Sequence, residues 1–365
     1  MTSVRVFGLD ALRALAVSLV LAAHCGFLFL PLTGLAPLEP WLMLGHLGVE
    51  LFFVLSGYLI GGILIDSVRG DGPRLARFWS RRWLRTLPNY YLFLVLACLI
   101  ERWTAGAWPD AAPYAVFLQN FAWPQPVFFV ESWSLAVEEW FYLLAPLAVL
   151  AALPLARRGV SPLLMMLAAI IALTLLRLGY VFMSDPAWDA AVRMVALVRM
   201  DAIAFGVLVV LLERHNVFSG AMPQRLALGG SVALAAAVAL YLALYRDHSL
   251  FARTLLFSLI SLAFASWLPA AARWRGEAVP RALAAAITKL AAWSYALYLC
   301  QLAVMRVLTQ GLGWHASDYP EAIAQTVAFV AFAVCVAAFV YHFYERPILR
   351  LRDRLAPRER SAVVP

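Results

Sequence analysis

The chain has 365 residues, of which 64% are hydrophobic and 14% are charged, and its formal net charge is +8 at pH 7. Soluble domains carry about a quarter charged residues, so this composition excludes an ordinary soluble enzyme and indicates a polytopic membrane protein. In a soluble chain the positive charge would suggest nucleic-acid binding. Here the arginines cluster in short loops between apolar runs, where membrane topology explains them first.

Apolar runs long enough to cross a bilayer occur along the whole chain. A transmembrane helix needs roughly 20 apolar residues, so counting such runs predicts an all-α fold of about ten transmembrane helices, the third of them short. The first run resembles a signal peptide, but His24 stands where cleavage requires a small residue, so we predict an uncleaved helix. The predicted spans are 10–30, 45–66, 86–102, 133–153, 161–183, 193–212, 226–245, 251–270, 289–312 and 321–343.

The arginine clusters predict the orientation of these spans. With alternating spans, all four clusters fall on one side of the membrane, which the positive-inside rule assigns to the cytoplasm. Both termini are then cytoplasmic. We predict one membrane-embedded domain over residues 1–345 and a basic cytoplasmic tail over 346–365. The clusters lie at 69–85, 156–158, 273–281 and 346–360.

The first span carries three polar residues that are costly in a bilayer. Arg13 and His24 are eleven residues apart, and at about 100° per residue this spacing returns to nearly the same helix face. Asp10 lies within about 60° of both and can pair with Arg13 at i, i+3. His24 stands roughly 16 Å further along the helix. A lone histidine in a membrane helix is usually a packing residue, but this polar stripe indicates a functional one.

The second span, GHLGVELFFVLSGYLIGG (45–62), runs in the opposite direction and places Glu50 level with His24. A carboxylate beside an imidazole would orient it or assist proton transfer. Glu50 could equally be a residue of the membrane interface. Gly57, Gly61 and Gly62 are typical of close helix packing.

Arg82 and Arg85 lie three residues apart at a membrane edge, within RRWLRTLPNYY (81–91). The positive-inside rule explains most arginines of this cluster. Guanidinium groups at this spacing also suit phosphate groups, so we predict that the pair binds an anionic ligand.

The fourth span begins ESWSLAVEEWFYLL (131–144) and places adjacent carboxylates, Glu138 and Glu139, within the apolar layer. Ser134, Glu138 and Tyr142 recur at i, i+4 and i+8 and therefore share one helix face. We predict that Glu138 is a buried acid lining a polar cavity. An interfacial cluster is the alternative.

The remaining polar residues of the spans favour structural roles. Arg199 and Asp201, in RMDAIAFG, are badly spaced for one face, so each is expected to meet a partner on another helix. Tyr295, Tyr298 and Gln301 recur at i, i+3 steps, which is more typical of helix contacts than of ligands. We assign possible structural or acceptor-side roles to Trp133, Ser134, Tyr142, Arg199, Asp201, Tyr295 and Gln301.

Two further features bear on ligands. The aromatic segment 107–133 could stack sugar rings but is more typical of an aromatic belt at the membrane surface. Cys25, Cys98, Cys300 and Cys335 all lie in apolar segments without a metal-ligand spacing. We therefore predict buried free thiols, no disulfide framework and no metal site.

Taken together, these stretches resemble the acyltransferase-3 family of integral membrane proteins. In the first span, an arginine, Arg13, is followed after ten residues by a histidine, His24, and the second span contains GVELFFVLSGYLIGG. The third and fourth motifs are Arg-x-x-Arg at Arg82 and Arg85 and Ser-Leu-x-x-Glu at Ser134 to Glu138. RMDAIAFG, SYALYL and FYERP (343–347) also fit. The family often has a histidine where this chain has Gln301, and glutamine cannot titrate.

The resemblance implies transfer of an acyl group, usually acetyl, from cytoplasmic acyl-CoA to a hydroxyl of an envelope carbohydrate or a related acceptor. Arg13, Arg82 and Arg85 would bind the acyl-CoA, which is a substrate rather than a tightly bound cofactor. His24 would act as general base or covalent acyl carrier, with Glu138, Glu50 or Asp10 assisting. The expected location is the bacterial inner membrane. The rival hypothesis is a transporter or flippase of a lipid-linked sugar, which would use the same buried charges but release no free CoA.

Overall fold

The computed structural model describes residues 6–68, 73–243 and 249–356, and it contains no β-strand within them. Arg69 and residues 357–365 of the predicted tail lie outside this description. Nine helical segments of the described chain are long and apolar enough to cross a membrane, so the protein is a multi-pass membrane protein. The long helices are α1 (Phe7–Cys25), α2 (Glu39–Val68), α3 (Pro73–Ala105), α4 (Ser132–Arg157), α5 (Pro162–Ser184), α6 (Asp201–Arg214), α7 (Met222–Ala243), α8 (Leu255–Arg273), α9 (Arg281–Arg306) and α10 (Tyr319–Val340), and a shorter helix, α11 (Arg346–Leu355), follows.

Helix α6 differs from the predicted sixth span over 193–212. It begins at Asp201 and has only 14 residues, because the chain before it forms one π-helical turn, Asp189–Arg193, and one 3₁₀ turn, Ala196–Val198. These turns replace the first half of a crossing helix. Every residue from Asp201 to Leu211 is buried, so the shortened helix lies inside the bundle.

Helix α3 corrects the predicted loop over 69–85. The helix begins at Pro73 and continues to Ala105, with Pro88 inside it. Arg82 and Arg85 therefore lie on a helix rather than in a loop. Three residues correspond to about 300° of rotation, so their side chains point to neighbouring directions on one face.

Local sequence explains where several helices begin. Pro162 follows Ser161, whose hydroxyl accepts a hydrogen bond from the Leu163 amide at 3.3 Å. Asp318 caps α10 in the same manner, since its carboxylate accepts from the Glu321 amide at 2.8 Å. Both are common N-cap arrangements, and proline in the first turn is pre-organised for a helix.

The irregular segments outside the helices hydrogen-bond to each other. The Ala196 amide donates to the Asn120 carbonyl at 2.9 Å, and the Gln125 amide donates to the Ala190 carbonyl at 3.1 Å. The Asn120 side chain also donates to the Met194 carbonyl at 2.5 Å. Non-helical backbone at membrane depth is tolerated only where protein satisfies it, and these bonds do so for the turns that precede α6.

Close packing of α2 on α6 depends on glycine. A Cβ atom added to Gly57 would meet the Ile203 carbonyl oxygen, and one added to Gly206 would meet the Val54 carbonyl oxygen. Small residues allow such backbone approaches between membrane helices. The packing role predicted for Gly57 is thereby confirmed.

The described ends of the chain lie at the same end of the bundle, which we call the arginine-rich end. Helix α11 packs against the start of α3, and the start of α1 contacts the end of α8. Contacts that join segments at this end are Gly8–Trp274, Asp66–Arg214, Phe218–Arg273 and Arg81–Asp353.

Of the cysteines, all four are free, as predicted. Cys25 and Cys300 are buried and Cys98 is half-buried, but Cys335 is exposed on the outside of the bundle. The prediction of burial is therefore wrong for Cys335, because an apolar sequence cannot distinguish a side chain facing lipid from one facing the protein core.

Candidate functional site

A cavity of about 90 Å³ lies between α1, α2, α3, α4 and α9, and we call it the arginine pocket. It brings together residues that the sequence places in five separate helices. Its charged lining residues are three arginines and one glutamate, so the pocket is positive. Its polar lining residues are Arg13, Ser56, Arg82, Arg85, Thr86, Ser134, Glu138, Ser294, Tyr295 and Tyr298.

The three guanidinium groups of the pocket are close enough for their charges to interact. Arg82 stacks on the Tyr142 ring with its Cζ atom 3.9 Å from the centroid, and it stands 4.0 Å from Glu138 Oε2. Within the described part of the chain, Arg85 makes no hydrogen bond or ion pair. Bringing three like charges together costs energy, and an anionic ligand would offset that cost.

Arg13 reaches the pocket from α1. Its Nη1 atom lies 3.3 Å from Asp10 Oδ1, so the i, i+3 pair predicted from the sequence is confirmed. Asp10 is fourteen residues before His24 on the same helix, which corresponds to roughly 21 Å. At that separation Asp10 orients Arg13 rather than the imidazole.

Glu138 is positioned by a short chain of hydroxyl groups. The Tyr142 hydroxyl donates to Glu138 Oε2 at 2.5 Å, and the Ser56 hydroxyl contacts that of Tyr142. The predicted face of Ser134, Glu138 and Tyr142 is confirmed. Ser56 was missed by sequence reasoning because its partner lies 86 residues away.

The neighbouring Glu139 does not line the pocket itself but contacts one of its lining residues. Its Oε1 atom accepts from the Thr86 hydroxyl at 2.6 Å, and the Tyr295 hydroxyl donates to the Thr86 carbonyl at 2.8 Å. These bonds join α4 and α9 to α3 just after Arg85. Glu139 and Tyr295 thus hold the arginine-bearing turn in place.

Tyr298 lines the pocket and is the lining residue of α9 nearest in sequence to Gln301. Its hydroxyl lies 2.6 Å from the Ser134 hydroxyl and donates to the Glu131 carbonyl at 3.1 Å. One turn further along α9, Gln301 Nε2 donates to the Tyr298 carbonyl at 3.3 Å. Tyr298 and Gln301 therefore connect the pocket with the far end of α1.

His24 does not line the arginine pocket. It lies at the end of α1 away from the arginines, where its ring stacks on Phe27 with centroids 5.9 Å apart. The Gln301 side chain lies beside the imidazole, and the charge of Arg193 acts on it. We call His24, Gln301 and Arg193 the histidine cluster. Arg193 was missed by sequence reasoning because it lies in a turn that the sequence assigned to a membrane span.

Glu131 is a buried residue just before α4, and its backbone carbonyl accepts the hydrogen bond from the Tyr298 hydroxyl of α9. Only 7% of the residue is exposed, and burial raises the pKa of the Glu131 carboxyl to about 7. Arg306 lowers that pKa by its charge but is already paired with Glu101 at 2.8 Å. Glu131 therefore gains and loses its proton near neutral pH.

The structure corrects the role expected for Glu50. Its carboxylate forms an ion pair with Arg199, accepts a hydrogen bond from the Ser261 hydroxyl at 3.0 Å and stands 3.7 Å from His46 Nδ1. The helix-hairpin argument placed Glu50 level with His24, but the side chain points towards α6 and α8. Glu50 therefore braces the bundle rather than orienting His24.

Arg199 and Asp201 each meet a partner on another helix, as predicted. Asp201 accepts two hydrogen bonds from Arg177, at 2.8 and 2.9 Å, and a third from Ser258 at 2.9 Å. Arg199 pairs with Glu50 and stacks over Phe257 at 3.9 Å. We call these groups the ion-pair network; its members are Glu50, Arg177, Arg199, Asp201, Ser258 and Ser261.

Trp133 is likewise buried beneath the loops. Its ring packs edge-on against Phe53 with centroids 5.7 Å apart, and Arg193 lies 5.0 Å over its face. Trp133 is only 3% exposed, so it supports Arg193 and offers no free face for a sugar ring.

Comparison with known proteins gives the family of the chain. The model of the acyltransferase domain, Acyl_transf_3, matches residues 6–342. The chain is 33% identical to the peptidoglycan O-acetyltransferase OatA of Listeria monocytogenes over 157 residues, and 37% identical to the O-acetyltransferase OatA of Staphylococcus aureus over 161 residues. It is also 33% identical over 159 residues to the putative peptidoglycan O-acetyltransferase YrhL of Bacillus subtilis.

These alignments are partial. They cover 38% or 39% of this chain and 23% or 24% of the relatives, so the chain matches about a quarter of each relative's length. No solved structure matches the chain. The family model nevertheless covers nearly all of the described bundle, including the arginine pocket and the histidine cluster, and the chain therefore belongs to the acyltransferase-3 family.

Proposed function

We propose that this protein transfers an acetyl group from acyl-CoA to a hydroxyl of an exported carbohydrate. The observation that carries this proposal is the arginine pocket, where Arg13, Arg82 and Arg85 converge around a cavity with a single carboxylate, Glu138. Acyl-CoA has phosphate groups at one end and a thioester at the end of a long thin arm. Guanidinium forks suit the phosphates.

The donor would enter from the arginine-rich end. The positive-inside rule favours a cytoplasmic location for this end, where acyl-CoA is available. Arg13 and His24 lie on one face of α1, roughly 16 Å apart along the helix. A thin acyl arm passing Tyr298 would bring its thioester towards His24. In a bacterial cell the corresponding membrane is the inner one.

The chemistry would occur at the histidine cluster. An acceptor hydroxyl attacks the acyl carbon, the carbon–sulfur bond breaks, and CoA leaves as a thiolate. His24 takes the proton of the hydroxyl as general base, or receives the acyl group itself and then passes it to the acceptor. Gln301 holds the imidazole by hydrogen bonding but exchanges no proton. Glu138 orients Arg82 in the pocket.

The relatives' names support a carbohydrate acceptor. Two of them are described as peptidoglycan O-acetyltransferases, one of these as putative. We propose a glycan or glycolipid of the cell envelope as the acceptor class. Acceptor access would be from the end of the bundle that holds His24.

The test is turnover of radiolabelled acetyl-CoA by the full chain in nanodiscs, with water as the slow acceptor. We expect the wild type to bind acetyl-CoA and release free thiol, and His24→Ala to bind equally but to release none. His315→Ala is the matched control, because His315 is an exposed histidine outside the cluster. It should behave as the wild type.

Other outcomes would overturn the proposal. Normal turnover by His24→Ala would remove His24 from the chemistry. If the wild type binds neither acetyl-CoA nor longer acyl-CoAs, the donor assignment fails. Movement of a lipid-linked sugar without thiol release would then favour the transporter hypothesis.

A further inference from the structure

Arg193 is held rigidly at the end of the bundle that contains His24. It closes the turn Asp189–Arg193 that precedes α6, and its Nε atom donates to Asp189 Oδ1 at 2.5 Å. Its Cζ atom lies 5.0 Å from the ring centroid of Trp133 and 5.8 Å from that of Trp188. Two indole rings and one carboxylate therefore fix the guanidinium group.

The two terminal nitrogens of Arg193 remain available. Among the described residues, Arg193 makes hydrogen bonds only through Nε. The structural arginine Arg177 differs, because all three of its nitrogens donate to protein acceptors. Only 14% of the Arg193 side chain is exposed. In the ion-pair network, Arg177 and Arg199 each pair with a buried carboxylate through a terminal nitrogen, whereas both terminal nitrogens of the largely buried Arg193 lack such a carboxylate in the described part of the chain.

Arg193 lies over the ring of Trp133 at the start of α4, and two residues earlier the Glu131 carbonyl accepts a hydrogen bond from the Tyr298 hydroxyl, which lines the pocket. The positive charge of Arg193 acts on the Tyr298 hydroxyl and on the imidazoles of His24 and His46. The guanidinium group is therefore near Tyr298 and His24, the two groups between which the acyl arm would pass. A thioester carbonyl presented to His24 would come near the free donors of Arg193.

We propose that Arg193 is a catalytic residue that donates hydrogen bonds to the acyl oxygen in the transition state, an inference that rests on the proposed function. When the acceptor oxygen attacks the acyl carbon, the carbonyl π electrons move to the acyl oxygen and the hydroxyl proton moves to His24. The resulting oxyanion lies beside Arg193. When it collapses, the carbon–sulfur bond breaks and the sulfur leaves with the electron pair. Pre-oriented donors at a developing oxyanion are among the strongest contributions to catalysis.

The test compares Arg193→Gln, Arg193→Lys and wild type in nanodiscs with radiolabelled acetyl-CoA and water as acceptor. We expect acetyl-CoA affinity to stay unchanged and the single-turnover rate of Arg193→Gln to fall by roughly 10²–10³. Arg193→Lys should recover part of the rate because it restores the charge.

Arg253→Gln is the matched control. Arg253 also fixes the segment between α5 and α6, through Asp185 at 2.6 Å and the Pro186 carbonyl at 3.0 Å, but it has no contact with the histidine cluster. The single-turnover rate of Arg253→Gln should stay near that of the wild type. Thermal unfolding of each variant separates a chemical effect from a loss of structure.

Two results would overturn the assignment of Arg193. One is a wild-type rate in Arg193→Gln. The other is an equal fall of rate and melting temperature in Arg193→Gln and Arg253→Gln, which would make Arg193 a support of the loop. Failure of the wild type itself to turn over acetyl-CoA would instead reject the proposed function.

Discussion

The arginine pocket and the ion-pair network are both built from charges buried among helices, yet they are arranged in opposite ways. In the network, the carboxylates of Glu50 and Asp201 each meet an arginine directly. In the pocket, three arginines face one carboxylate, and Arg82 stands 4.0 Å from it. Buried charges that meet a counter-charge directly stabilise one arrangement of helices, whereas a cavity lined by more arginines than carboxylates indicates a place for an anionic ligand.

The largest effect on stability is expected from a substitution that breaks the ion-pair network. Asp201→Asn leaves Arg177 buried without its counter-charge, and removing one partner of a buried pair typically costs about 3–5 kcal/mol. We expect a marked fall in thermal stability, measured by unfolding of the purified protein in detergent or nanodiscs.

Asp353→Asn is the control for that variant, because Asp353 also pairs with an arginine, Arg81, but its side chain is 57% exposed. Exposed pairs contribute about 0–1 kcal/mol. If Asp201→Asn were as stable as Asp353→Asn and yet lost activity, the network would belong to the functional path and the comparison would fail.

An intermediate effect is expected in the pocket. Arg82→Ala combined with Arg85→Ala removes two cations that would contact phosphates, and charged hydrogen bonds contribute about 1.5–3 kcal/mol each. We expect acetyl-CoA affinity to fall by roughly a hundredfold or more. Binding is measured by titration in nanodiscs at several salt concentrations.

Arg157→Ala combined with Arg158→Ala is the control, since both residues are exposed at the arginine-rich end and neither lines the pocket. The acetyl-CoA affinity of this control variant should equal that of the wild type. Equal affinity in the pocket variant and the wild type would assign Arg82 and Arg85 to membrane topology alone.

The smallest effect is expected at Glu131, the buried carboxyl just before α4. Burial raises its pKa in the folded protein from 4.5 to about 7, so the folded state binds this proton more tightly than the unfolded chain does. Its contribution to stability is complete below pH 4.5 and is lost as the pH rises towards 7. Charged groups and hydroxyls that face it are Arg306, Tyr298 and Tyr114.

Between pH 5 and pH 7 we expect the melting temperature of the wild type to fall by roughly 2–4 °C. Glu131→Gln should remove this pH dependence of the melting temperature. Thermal unfolding across this pH range is the measurement. A wild-type slope that persists in Glu131→Gln would assign the pH dependence to another group.

The sequence by itself determined the helical membrane class, because backbone groups within a bilayer must be satisfied inside each apolar segment. It also determined which residues share a helix face. The Asp10–Arg13 pair and the common face of Ser134, Glu138 and Tyr142 follow from the helical repeat alone. Most of the motifs that resemble the family were readable for the same reason, since each lies within one helix; RMDAIAFG and FYERP instead cross a helix boundary.

Only the tertiary structure decided how the faces meet. The partner of Glu50 is Arg199 rather than His24, because Gly57 and Gly206 let α2 and α6 pack closely enough to bring that side of α2 against α6. Arg193 lies near the histidine cluster because the first half of the sixth apolar run forms a π-helical turn and a 3₁₀ turn instead of a continuous helix. Such contacts depend on how residues far apart in the chain pack together. The periodicity of a local stretch of sequence does not encode this packing.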